Sequence, residues 1–159
     1  MDSVQFDVLK ELGNIGAGNA TTALAKLINA KIDMKVPKVE LLGFSDIAKV
    51  MGSEETVMVG ILLMLEGDVN GMMMFLLEVE SARNLVGKLM GIETNSDDEG
   101  KEFDSIQLSA LNEIGNIITG AYLSALSDLT RLKIISSVPS LQIDMAAAIL
   151  SIPAIEFSK

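Results

Sequence analysis

Two sets of side chains in this sequence share one spacing and are placed to act together. Asp7, Glu11, Asn14 and Pro37 form the first, and Ser109, Glu113, Asn116 and Pro139 form the second, each 102 positions further along the chain. On a helix, steps of four and three keep the first three members on one face. At about 100° per residue, positions 7, 11, 14 and 18 fall within about 60° of one another, and so do 109, 113, 116 and 120. The chain contains no cysteine and no histidine, which removes the thiol nucleophile, the thiolate metal site and the commonest general base. Each stripe also carries too few oxygen ligands for an all-protein metal site. What the residues offer is one carboxylate and one carboxamide, groups that orient and hydrogen-bond rather than attack. Gly18 and Gly120 complete the two stripes, and a glycine inside a helix costs roughly 1 kcal/mol relative to alanine. Close approach by another backbone is a reason to keep one there.

The elements that position these residues come as two copies of one unit. A shift of 102 residues lays positions 2–42 onto 104–144 without a gap, and 16 of those 41 positions are identical. Each copy opens with Asp-Ser-x-Gln, Asp2 to Gln5 and Asp104 to Gln107, a variant of the capping box. Apolar residues at helical spacing predict helices over about 3–28 and 105–130. A stretch rich in branched residues follows each, Lys31 to Leu42 and Lys133 to Asp144. Pro37 and Pro139 mark these as edge strands or bulged ones.

Between the copies, Val57 to Glu66 and Gly71 to Val79 read as a strand hairpin around Gly67-Asp68-Val69-Asn70. Val79 to Met90 reads as a helix closed by Gly91. The expected architecture is α/β of the α+β type, a pseudo-twofold duplicated unit with long exposed helices packed on an antiparallel-rich sheet. One domain, 1–159, is made of copies at about 2–92 and 104–159 with a polar linker at 93–103. The second copy is expected to be C-terminally incomplete, since its own hairpin and helix would follow residue 158. Most of the ten methionines lie in apolar strand patterns and read as core packing.

Composition narrows the function further. The net charge is −10, and the 12 basic residues are scattered, so a nucleic-acid footprint is missing. The same balance disfavours unaided capture of a phosphorylated small molecule, a task that draws on Arg, Lys or a helix N-terminus. Gly13, Gly16 and Gly18 are not in G-x-G-x-x-G order and no Walker lysine accompanies them, which disfavours nucleotide binding. No apolar run reaches the roughly 18 to 20 residues that cross a bilayer, and the protein is expected to be soluble and cytoplasmic.

An exposed helix face carries acids and amides simply because it meets water, and asparagine side chains also satisfy buried backbone groups. Agreement between the copies weighs against both readings. Glu and Asn are kept, whereas neighbours differ as freely drifting positions do, Lys10 against Asn112 and Asn19 against Ala121.

Acid or hydroxyl, three residues, Glu, two residues, Asn, twenty-two residues, Pro: this pattern, present twice, resembles the signature of the CheC, CheX and FliY phosphatases. The run from Glu11 to Ala20 is similar to the first site of CheC proteins, and Asn112 to Ile117 to the second. The resemblance implies hydrolysis of the aspartyl phosphate of a response regulator of the CheY type. It assigns water alignment to Asn14 and Asn116 and orientation of the regulator to Glu11 and Glu113. Asp7, Ser109, Gly18 and Gly120 would then meet the partner, while Pro37 and Pro139 shape the strands behind the helices. It implies no cofactor of the protein's own, with Mg²⁺ on the partner regulator. A second partner, the receptor deamidase CheD, is implied for the segment from Asp144 to Leu150. The alternative from a different class is a noncatalytic adaptor that binds CheY, CheD or flagellar-switch proteins through the same faces.

Overall fold

The computed structural model describes residues 2–32, 40–43, 46 and 55–158. Two 26-residue helices, α1 (Ser3–Ile28) and a later helix Ser105–Thr130, begin at the two capping boxes. The Asp2 carboxylate accepts the Gln5 N–H at 2.9 Å, and the Gln5 side chain accepts the Asp2 N–H at 3.0 Å. Asp104 and Gln107 repeat both bonds at 2.8 and 2.9 Å. Each box satisfies donors that a helix start leaves without partners. The helices end on left-handed residues, Asn29 (φ 51°) and Arg131 (φ 60°), whose N–H groups bond back to Ala25 and Ser127. Asparagine tolerates that conformation better than arginine.

Between the long helices run β1 (Val57–Gly67), β2 (Gly71–Glu78) and α2 (Val79–Met90), the last closed by Gly91 at φ 68°. The second long helix is α3. After it come β3 (Ile134–Ser136), β4 (Ser140–Met145) and α4 (Ala146–Phe157). β1 is the middle of an antiparallel sheet, with β2 on one side and β3 and β4 end to end on the other.

That second side carries a bulge. Leu62 pairs with Ser140 and Leu65 with Ser136, so Leu63 and Met64 face the three residues Ser137, Val138 and Pro139. Proline cannot donate to a ladder, and an extra residue is how a strand accommodates it. Ser137 repairs the gap, donating its N–H to the Met64 carbonyl and accepting the Met64 N–H on Oγ, both at 2.9 Å. Pro37, the corresponding residue of the first copy, and most of the strand expected at Lys31 to Leu42 lie outside the described residues.

Alternation along β1 builds two cores. Val59 packs with Ala20, Leu24 and Ile28 of α1, Ala82 and Val86 of α2, and Leu111, Ile114 and Ile118 of α3. Leu63 and Leu65 meet Leu123 of α3. On the opposite face Met58 and Leu62 pack with Ala146 and Ile149 of α4, and a Cβ on Gly60 would come within 3.0 Å of Ile149. Burial on both faces explains why β1 reads as a continuous apolar run. Each such large side chain contributes about 1.5–3 kcal/mol when fully buried. Met72 and Met74 border the α4 core, and Met73 borders the core beneath Leu123.

The segment at 93–103 is a linker in sequence but is held in the fold. The buried Arg83 of α2 donates to the Lys101 carbonyl at 2.6 Å and lies 4.7 Å from the centre of the Phe103 ring. This contact delivers the chain to Asp104 in position to cap α3.

Candidate functional site

The inward face of α1 is made of small residues, Gly13, Gly16, Ala17 and Ala20, followed by Leu24 and Ile28, all buried. α3 buries larger ones, Leu111, Ile114, Ile118 and Leu123, with Gly115 against Ile61. Small against large lets the two helices pack directly on each other. At the crossing, the Tyr122 ring covers Gly16, where a Cβ would stand 2.9 Å from the ring carbons. Phe75 holds that ring edge to face, 5.4 Å between centres. Burial pushes the Tyr122 phenol above its ordinary range. Asn19 donates its side-chain amide to the Ala121 carbonyl at 2.5 Å.

Asn19 and Ala121 are the same position in the two copies, so their difference is not drift. One side supplies the amide and the other the carbonyl it needs. Sequence reasoning treated this position as unconstrained and missed the Gly16–Tyr122 contact. The available signal was the inversion of size between copies, Gly16 and Ala20 against Ile118 and Tyr122.

The opposite faces of both helices are exposed. Asp7, Glu11, Asn14 and Gly18 stand in solvent on α1, and Ser109, Glu113, Asn116 and Gly120 stand in solvent on α3. Among the described residues, a Cβ added at Gly18 or Gly120 would meet nothing within 4 Å. The fold itself therefore does not require either glycine. Gly18 lies on the wall of an open groove of ≈ 440 Å³ between the helices, with Ile15, Thr22, Ala125 and Leu129. The two stripes are not chemically equal. Ser109 turns its hydroxyl back to the Ser105 carbonyl at 3.0 Å, whereas Asp7 presents a carboxylate in the same place.

Pro139 is half-buried in the bulge between β3 and β4. Asp144 belongs to neither stripe. It is exposed on β4 beside Met145, whose N–H it accepts at 2.7 Å, and it lines a separate groove of ≈ 710 Å³ with Val57, Val79, Phe103 and Ile143. Among the described residues no group of three or more carboxylates gathers to hold a metal ion, and no helix is long and apolar enough to cross a membrane.

These stripes are thus two carboxylate–carboxamide pairs, each fixed at the centre of a capped helix and open to a macromolecular partner. A model of the CheC-like family matches residues 4–41 and again 106–143, which are the segments carrying the two stripes. The CheY-P phosphatase CheC of Bacillus subtilis is 41% identical over 155 residues, covering 98% of this chain and 74% of that protein. The crystal structure of FliY from Thermotoga maritima shares the fold, with a TM-score of 0.78 and 24% identity over 90% of this chain and 70% of that one. So does a chain of the CheX–CheY–BeF3–Mg²⁺ complex from Borrelia burgdorferi, with a TM-score of 0.54 and 20% identity over 79% and 72%. On the strength of the near full-length identity and the twofold match to the family pattern, the chain belongs to the CheC-like family.

Proposed function

We propose that the protein hydrolyses the aspartyl phosphate of a response regulator of the CheY type, using Asn14 and Asn116 to align water and Glu11 and Glu113 to orient the regulator. The observation that carries this reading is the presentation of an exposed Glu–Asn pair, one turn apart, on each of two rigidly packed helices. Names of relatives support it, since the Bacillus protein is a CheY-P phosphatase.

The chemistry asks little of the protein. An acyl phosphate is already activated, and the regulator brings its own Mg²⁺ and lysine to the phosphoryl oxygens. Water attacks phosphorus in line, the bond to the aspartyl oxygen breaks, and the bonding pair leaves with the carboxylate. Inorganic phosphate and a free aspartate result. Because the transition state is loose, the attacking water needs position more than a strong base. A carboxamide both donates and accepts, so Asn14 or Asn116 can hold that water by two of its own groups. A hundredfold acceleration corresponds to about 2.7 kcal/mol. Each hydrogen bond to the neutral water contributes about 0.5–1.5 kcal/mol, so the two that one amide makes suffice.

Glu11 and Glu113 pair with the regulator's lysine and set its angle of approach. Asp7 and Ser109, one turn earlier, touch its rim, and Gly18 and Gly120 admit its backbone. Activity belongs to the cytoplasm, where such regulators are found. The groove beside Asp144 is the part of the surface we assign to CheD.

The decay of phosphorylated CheY tests the proposal. Wild-type protein accelerates it, Asn14→Ala with Asn116→Ala removes the acceleration, and circular dichroism of the double variant is unchanged. Binding that persists with an unaltered phosphoryl lifetime in the wild type would instead identify an adaptor.

A further inference from the structure

Besides Asp7 against Ser109, the two faces differ at the edge of the stripe, Lys10 against Asn112, and no contact among the described residues explains that difference. Lys10 is exposed on α1 and lies one helical turn before Asn14, while the corresponding residue on α3 is Asn112. By helix geometry Lys10 sits about 40° from Asn14, on the side away from Glu11. Asn14 is therefore flanked by a cation on one side and by the Asp7 and Glu11 carboxylates on the other. Asn116 is flanked by Asn112 on one side and by Ser109 and Glu113 on the other, so the second face lacks both the cation and one of the two anions. Among the described residues no ion pair engages Lys10. Other bases, Lys26, Lys88 and Lys133 among them, are likewise without an ion pair among the described residues, and Lys10 is set apart from them by its place beside Asn14.

We propose that Lys10 is a specificity-determining residue of the first site, contacting an anionic group on the rim of the phosphorylated partner, and that the second site docks without this contact. The inference rests on the phosphatase reading above. Its chemistry is a solvent-exposed charge contact, so it strengthens encounter and docking and is weakened by salt. It does not align the water, and turnover of the docked complex is independent of it. The consequence is a first site whose affinity for the regulator carries a salt-dependent part that belongs to Lys10 and is absent from the second site.

Single-site proteins separate the two. Asn116→Ala leaves the first site and Asn14→Ala leaves the second, and each is assayed on phosphorylated CheY at about 50 and about 300 mM salt, concentrations between which the screening length falls by roughly half. In the first-site protein, Lys10→Asn is expected to raise KM about two- to fivefold at low salt, with kcat unchanged, and to flatten the salt dependence. In the second-site protein, Asn112→Lys is expected to lower KM by a similar factor and to steepen it. KM and salt dependence unaltered by either exchange overturn the role of Lys10 while leaving the phosphatase reading intact. A loss of kcat with unchanged KM on Lys10→Asn overturns it too, by placing the lysine in the chemistry. Absence of hydrolysis from both single-site proteins and from the wild type overturns the phosphatase reading itself.

Discussion

Asn19 donates its side-chain amide to the main-chain carbonyl of Ala121, the residue that holds its own place in the second copy. The bond lies where α1 and α3 cross, beside the Tyr122 ring that covers Gly16. It fixes one helix against the other, and with them the two exposed stripes.

Gly16→Ala therefore brings a methyl group against a ring that Phe75 also contacts, edge to face. Overpacking of this kind costs about 1–3 kcal/mol. Asn19→Ala removes one hydrogen bond and is expected to cost about 1 kcal/mol. Urea unfolding monitored by far-ultraviolet circular dichroism measures both, and Gly16→Ala is the larger loss.

Gly18→Ala and Gly120→Ala behave in the opposite way. Among the described residues nothing stands where the new methyl groups go, and alanine favours a helix interior over glycine by about 0.8–1.0 kcal/mol. Each substitution is expected to stabilise the free protein by up to that amount. If the partner's backbone approaches these positions, the same variants lose affinity for phosphorylated CheY. Stability rising while KM rises in one variant is a combination that a purely structural glycine does not give.

The hairpin between β1 and β2 is anchored at one point. Gly67, at φ 110°, lies so close to the Lys133 carbonyl that an added Cβ would collide with it. Asp68 accepts the Lys133 N–H at 2.7 Å on its carboxylate and donates its own N–H to that carbonyl at 2.9 Å. Gly67→Ala is expected to cost more than about 2 kcal/mol, because strain at positive φ and a backbone collision add. Asp68→Asn, which keeps an acceptor, is expected to cost under about 1 kcal/mol. Thermal unfolding midpoints order the two.

Much of this was written in local sequence. The capping boxes set the starts of α1 and α3, because Asp-Ser-x-Gln satisfies the first amides wherever it occurs. The apolar run of β1 and the Gly67–Asn70 turn set the hairpin, and the 102-residue offset places the two Glu–Asn stripes on equivalent helix faces. Contacts between distant segments were less legible. Pro139 announces a break in the strand, but only the pairing with β1 reveals that Ser137 replaces the missing ladder bond. The polar run at 93–103 reads as free linker, since nothing local shows that Arg83 holds it. Asn19 reads as an unconstrained surface position for the same reason: its partner is a backbone carbonyl 102 residues away. α4 carries Pro153 in its interior, and we have no physical account of why proline is tolerated there.

The most direct measurement is the nuclear magnetic resonance footprint of CheY, activated with beryllofluoride and Mg²⁺, on the isotopically labelled protein. The side-chain amide signals of Asn14 and Asn116, and the backbone signals of Glu11, Gly18, Glu113 and Gly120, are expected to move with activated CheY and to remain in place with the unactivated form. A footprint confined to β4, α4 and the groove at Asp144, with the two asparagine amides unmoved, would contradict the account.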